Sequence, residues 1–204
     1  MLSRSLAALV FTAAAASATV HLCGDSTMAR GNGIIDGWGQ YLQYSLNEPV
    51  VNHAVGGRSA RSFTREGRFD EVLAQVESGD FVVIEFGHSG SFAWAPSRFF
   101  YYTWLAASRL GGPAKGVHFV PHGQYTAQAM KNAGAAVVNA GFPQDHTHTS
   151  PSMADFVSQA FVLGLACGTS DLKAALKNST ADLTSGPLGQ CVSDYNSTVT
   201  GLLR

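Results

Sequence analysis

Val20–His21–Leu22–Cys23–Gly24–Asp25–Ser26–Thr27–Met28 decides how this chain is read. Four residues suited to a buried strand run into Gly-Asp-Ser, with a helix expected beyond. A serine on a tight turn at the carboxyl end of a strand can present its hydroxyl to the crevice beside a sheet, where open α/β folds place their ligands. Gly-Asp-Ser alone usually means no more than a turn. Its weight comes from three further blocks that arrive in order: GGRSARS at 56–62, EFGH at 85–88 and DHTHTS at 145–150.

Outward from that stretch, strands alternate with helices. Trp38 to Leu46 is a short helix and Val50 to Val55 a strand ending at Gly56–Gly57. Arg58, Arg61, Arg65 and Arg68 follow at helical spacing, with Phe69, Leu73 and Val76 forming an apolar face. Asp80 to Phe86 (DFVVIEF) is nearly continuous in apolar residues, as a strand covered on both faces should be. Pro96 to Leu110 reads as a helix whose rings (Phe99, Phe100, Tyr101, Tyr102, Trp104) pack the core and cover the sheet; a sugar-stacking platform is the competing reading. Gly116 to Pro121 is a further strand and Gln124 to Asn132 a helix. Ser150–Pro151 starts a long helix, with a capping hydroxyl and proline in the first position. Its Met153, Phe156, Val157, Ala160 and Phe161 dock one face on the sheet. A short helix at Asp171–Lys177 precedes a polar tail. The pattern predicts a parallel sheet with helices on both sides.

The chain opens with Arg4, an apolar run from Leu6 to Ala16 and Ala16–Ser17–Ala18, the grammar of a secretory signal with its cleavage site. Residues 1–18 are therefore read as signal peptide and 19–204 as one domain, secreted to the extracellular space. No later stretch is apolar enough to span a membrane. A net charge of −1, without basic tails or charge runs, argues against nucleic acid as a partner. Three cysteines permit one disulfide and one leftover thiol. Cys167 and Cys191, both near the C-terminus, are the natural pair, and Cys23 reads as a small buried side chain. Asn178 and Asn196 sit in glycosylation sequons. A monomer is expected.

Acyl transfer needs a nucleophile, a base, a group that orients the base, and donors for the oxyanion. Ser26 can be the nucleophile, His148 the base and Asp145 its orienting partner. Backbone N–H groups at Ser26 and in the Gly56–Gly57 turn are natural oxyanion donors. Asp145, His146 and His148 also form a small cluster, but it lacks further ligands at metal-site spacing, so no metal is expected. His88 reads equally as a hydrogen-bonded strand-end residue and as part of the site. His53, His118 and His122 read as structural or exposed.

Together GDSTM (24–28), VNHAVGGRSARSFTREGRF (51–69), VVIEFGH (82–88) and FPQDHTHTS (142–150) resemble the rhamnogalacturonan acetylesterases, secreted members of the GDSL or SGNH hydrolases. The resemblance covers most of residues 20–191, including the cysteine pair. It implies a three-layer α/β/α fold with a five-stranded parallel sheet, no cofactor, and removal of acetyl groups from the rhamnogalacturonan backbone of pectin. It implies Ser26, Asp145 and His148 as catalytic residues and Gly57 as oxyanion donor. Arg58 or Arg61 would meet galacturonate carboxylates, against the alternative of salt-bridged or solvated arginines.

Two departures stand out. The family's third block ends Gly-His-Asn-Asp, and its asparagine amide serves the oxyanion; here Ser89 takes that place. Losing one such donor costs about 10²–10³ in kcat. After Gly90 the chain passes directly to SFAWAPSRFF, so a helix and an interior strand of the family are absent and four strands are expected instead of five. Closing that gap moves an edge strand by about 4.8 Å, more than a Ser–His hydrogen bond tolerates. The expectation is a secreted serine acetylesterase with impaired activity. The competing readings are a catalytically dead polysaccharide-binding paralogue and a truncated gene product.

Overall fold

The computed structural model describes residues 17–87, 98–177 and 187–192, the side chains of 98–100 excepted. Most of the expected signal segment, the junction at 88–97 with His88 and Ser89, and the sequons at Asn178 and Asn196 lie outside the described residues. Strand β1 (Val20–Gly24) leads through 3₁₀ turns at Trp38–Gln40 and Leu42–Tyr44 to strand β2 (Val50–Asn52). Helices α1 (Ala60–Arg65) and α2 (Arg68–Leu73) precede strand β3 (Phe81–Glu85), and helix α3 (Arg98–Arg109) follows it. A 3₁₀ turn at Gly112–Lys115, helices α4 (His122–Ala133), α5 (Ala135–Ala140) and α6 (Pro151–Cys167), and a 3₁₀ turn at Asp171–Ala175 complete the order.

The sheet is parallel and ordered β2–β1–β3. Paired on both edges, β1 buries all five of its residues, which is why its sequence runs apolar without strict alternation. Its polar exception, His21, is bonded to His53 (Nδ1 to Nε2, 3.0 Å) and to Asp80 (Nε2 to Oδ2, 3.3 Å). Val20 and Leu22 join a core built with Trp38, Tyr125, Phe161 and Leu163, and so face α4 and α6. Cys23 points the other way, into a smaller cluster with Phe63 of α1 and Val72 of α2, against which Phe69 and Phe86 pack. Burial pushes the Cys23 thiol up to about 11. Helices thus cover both faces of an open parallel sheet, giving a three-layer α/β/α fold.

Several sequence expectations are corrected. The strand at Gly116–Pro121 is not formed, so among the described residues the sheet has three strands, not four. Gly116, at φ +70°, turns the chain, and the following amides bond locally: Val117 N–H to Gly112 O at 3.1 Å and His122 N–H to Val120 O at 2.7 Å. Val120 is used as a core side chain against α6. Second, β3 is not covered on both faces, since Val82 and Ile84 are 41% and 55% exposed. The six-residue helices α1 and α2 reach Cys23 and Phe86 but not that far. Third, α3 does not cover the sheet. It packs chiefly on the 112–115 turn, with the Tyr101 ring tilted against Tyr102 and Trp104 (centroids 5.7 and 6.2 Å). Helix α6, expected to bury one face, buries most of its circumference, because α4 and the 3₁₀ turns also pack on it.

The start of α6 follows the sequence rule: Ser150 Oγ accepts from Met153 N–H at 3.3 Å and Pro151 opens the helix. At its other end the Cys167–Cys191 disulfide joins α6 to segment 187–192. That segment also receives hydrogen bonds at Leu188 O and Gln190 O from the Gln128 side chain. Cross-linking a loop of this length contributes about 3 kcal/mol by chain-entropy reasoning.

Beneath the carboxyl end of β3 lies a buried polar knot. Glu85 accepts from the Trp38 indole N–H (3.1 Å) and from His122 Nδ1 (2.7 Å), while His122 Nε2 faces Val157 O at 3.0 Å. With Glu85 ionised, both ring nitrogens face acceptors, so the geometry calls for imidazolium. Burial pushes His122 toward the neutral form, but the Glu85 charge and hydrogen bond outweigh it and hold the pKa above the ordinary value. A raised histidine contributes stability that is fully present below pH 6.5 and lost as pH rises through the folded value. Denaturant unfolding across pH should therefore show stability falling as pH rises above 6.5. In a His122→Leu/Glu85→Leu variant that slope should vanish; an unchanged slope contradicts the ion pair.

Candidate active site

Asp25 builds the turn after β1. Its Oδ1 accepts from Thr27 N–H (2.9 Å) and the Thr27 hydroxyl (2.8 Å), and its backbone carbonyl accepts from Ala29 N–H at 2.9 Å. Its Oδ2 accepts from Gly87 N–H at 3.0 Å, tying the turn to the chain leaving β3. Gly24 must lack a side chain, since a Cβ would lie 2.7 Å from Glu85 O. Ser26 is thereby held at the carboxyl end of the central strand.

The partner loop precedes α6. Asp145 Oδ1 accepts from the N–H groups of Thr147 and His148, both at 2.7 Å, and Oδ2 meets His148 Nδ1 at 2.7 Å. The His148 side-chain bond, then those two amides, depress the Asp145 carboxyl to about 2. His148 Nε2 lies 3.0 Å from Ser26 Oγ. Ser26, His148 and Asp145, predicted as a set from residues 122 positions apart, thus stand in one hydrogen-bonded line. A serine hydroxyl facing an imidazole that a carboxylate orients can pass its proton to that ring as it attacks a carbonyl.

Gly57, at φ +74°, adopts a conformation natural to glycine, and a Cβ on Gly56 would come 3.7 Å from Ser26 Cβ, so this turn lies against the serine. Among the described residues the backbone N–H groups of Ser26 and Gly57 meet no protein acceptor, which leaves them available to an oxyanion. Ser89 and His88 are outside the described residues. His146 makes no side-chain bond there to Ser26 or His148.

Of the two arginines predicted to meet substrate, Arg58 is held by Glu66, its Nε 3.0 and 3.1 Å from the two carboxylate oxygens. Arg68 binds the same carboxylate, and the two guanidiniums, Arg68 first, lower the Glu66 pKa. Arg61 pairs with no carboxylate among the described residues.

Sequence reasoning missed a strap that ties the two loops together. Asp36 N–H donates to Thr149 O (2.8 Å), the Thr149 hydroxyl donates to Asp36 O (2.7 Å), and Trp38 N–H donates to Thr27 O (2.9 Å). The Asp36 carboxylate in turn accepts from Gly31 N–H at 2.7 Å and from the Tyr41 hydroxyl at 3.1 Å. Burial and that bond raise Tyr41 to about 12.

No model of a protein family matches this chain. Compared with individual proteins, it is 31% identical over 259 aligned positions to the rhamnogalacturonan acetylesterase of Emericella nidulans, covering 94% of this chain and 100% of that protein. The chain belongs to the rhamnogalacturonan acetylesterase family. It is accordingly a carboxylic ester hydrolase by family. The alignment is longer than the 204 residues present here, so parts of that relative have no counterpart in this member of the family. A probable rhamnogalacturonan acetylesterase of Bacillus subtilis, YesY, is 34% identical over 108 residues, 48% of this chain and 50% of that one. Among solved structures, the Bacillus subtilis protein YxiM shares the fold with a TM-score of 0.57 at 19% identity, over 73% of this chain and 56% of that one.

The Asp145–His148 contact has a pH signature. A depressed carboxylate contributes stability that is present above pH 3.8 and lost as pH falls toward 2. An NMR titration of the Asp145 carboxyl should give a midpoint near 2, moving up in His148→Ala. A midpoint near 3.8 in the unaltered protein contradicts the contact.

Proposed function

We propose that this chain is a secreted serine esterase that removes acetyl groups from rhamnogalacturonan through an acetyl-serine intermediate. The observation that carries the reading is the 3.0 Å approach of His148 Nε2 to Ser26 Oγ with Asp145 behind the ring. Ser26 Oγ bonds to the acetyl carbon as its proton passes to His148 Nε2. The carbonyl oxygen becomes an oxyanion facing the Ser26 and Gly57 amides. Collapse releases the sugar oxygen, which takes the proton from His148 and leaves acetyl on Ser26. Water then attacks the acetyl carbon, giving its proton to His148; acetate departs and Ser26 is reprotonated. Ser89 replaces the asparagine of the family block, so the oxyanion has one amide donor fewer, and a rate reduced about 10²–10³-fold follows from that loss.

Substrate charge fits the arginines after Gly57. Arg58 is committed to Glu66, so Arg61 is the better group to meet a galacturonate carboxylate. Secretion is supported by the leader-like first residues and by the Cys167–Cys191 disulfide, which oxidising compartments preserve. Among the described residues no helix is long and apolar enough to cross a membrane.

Acetate release from acetylated rhamnogalacturonan tests the reading. The unaltered protein should release acetate, and Ser26→Ala should lower the rate by about 10⁴-fold or more while the fold is kept. Release that survives Ser26→Ala contradicts the mechanism. Binding without release would favour a non-catalytic polysaccharide-binding protein.

A further inference from the structure

A recess whose lining does not include Ser26 lies beside the sheet. It is an open cleft of about 340 Å³ lined by Arg30, Gly39, Gln40, Gln43, Val50 and Asn52. β2 forms its wall on the edge that pairs with no strand among the described residues. Three features give it a chemical character. No carboxylate lines it, and the exposed Arg30 guanidinium makes no hydrogen bond or ion pair with any described residue, so the cleft presents an unpaired positive charge. Among the described residues the Gln40 side-chain amide is unengaged, and Gln43 spends only its Nε2, on Gln40 O at 2.8 Å, leaving its Oε1 as an acceptor. The wall between them is fixed. Asn52 uses both ends of its amide, donating to Met28 O at 2.9 Å and accepting from Ala54 N–H at 3.0 Å. A Cβ on Gly39 would sit 2.7 Å from Met28 O, so the strap is pressed directly onto the chain that follows Ser26.

Unengaged glutamine amides and an unpaired cation beside a rigid wall, in a recess of this size, suit a small ligand that carries one carboxylate among several hydroxyls. We infer that this cleft is a subsite for an acidic sugar residue of the polysaccharide. The inference rests on the proposed function and extends it to a second place on the substrate. Arg30 lies four residues after Ser26, so their backbones are at most about 14 Å apart. The proposal places one acidic sugar residue in the cleft and an acetylated residue further along the same chain at the serine. The guanidinium meets the uronate carboxylate, and Gln40 and Gln43 meet ring hydroxyls. Binding energy collected here, away from the reacting carbonyl, serves to hold the polymer in place.

The test measures binding alone, so it does not depend on hydrolysis. In the Ser26→Ala protein, a deacetylated rhamnogalacturonan oligosaccharide should bind about tenfold more weakly when Arg30 is changed to Ala or Gln, the order expected for a charge-assisted contact. Arg30→Lys should recover part of the loss. The difference should shrink in about 1 M NaCl, where the screening length is near 3 Å. A neutral galactan oligosaccharide should be indifferent to the substitution. Equal binding with and without Arg30 overturns the subsite, as does an equal loss for the neutral oligosaccharide. If the unaltered protein releases no acetate yet binding still depends on Arg30, the esterase reading fails and the subsite stands.

Discussion

Asp36 and Thr149 exchange two hydrogen bonds, and two residues further on Trp38 N–H grips Thr27 O. Those three contacts hold the loop of Ser26 and the loop of His148 to one short piece of chain. Each is worth only about 0.5–1.5 kcal/mol net, so their importance is geometric. The hydroxyl and the ring must meet within about 2.6–3.2 Å for proton transfer, and loops rooted in different elements do not hold that spacing unaided. Trp38 extends the grip inward, since its indole reaches Glu85 and, through it, His122 on α4.

The same arrangement explains why the expected break after Gly90 does not separate the pair. The shift predicted from sequence would displace an edge strand. Ser26, however, leaves the central strand, and His148 sits ahead of α6, whose capped start is anchored in the main core. Neither group depends on the outer side of β3. On that outer side Val82 and Ile84 are open to solvent in a strand whose sequence is built for burial. The main face is intact because Val20, Leu22 and Val83 still meet α4 and α6.

Local chemistry made much of this legible. Gly-Asp-Ser after an apolar run is readable because Gly24, Asp25 and Ser26 act on their own neighbours, through a close approach and short-range bonds. Asp145 and His148 lie three residues apart and bond within one turn, and Ser150–Pro151 caps its own helix. The unread parts depend on distant partners. VHFV at 117–120 has the composition of a strand, but whether it pairs is decided by an edge elsewhere in the molecule. The rings of α3 look like core residues because hydrophobicity does not say which surface a helix meets. The strap is made of backbone groups, which any sequence supplies, and Glu85–His122 joins residues 37 apart. For Arg58 the salt-bridged alternative holds, because Glu66, eight residues on, binds both it and Arg68.

The account turns on Ser26 being activated by His148. Reaction of the folded protein with a fluorophosphonate, read by mass spectrometry of the intact chain and its peptides, tests this most directly. One adduct per chain on Ser26, lost in a folded His148→Ala variant, is the predicted result. No adduct on the folded protein, or labelling of Ser26 that persists without His148, would contradict it.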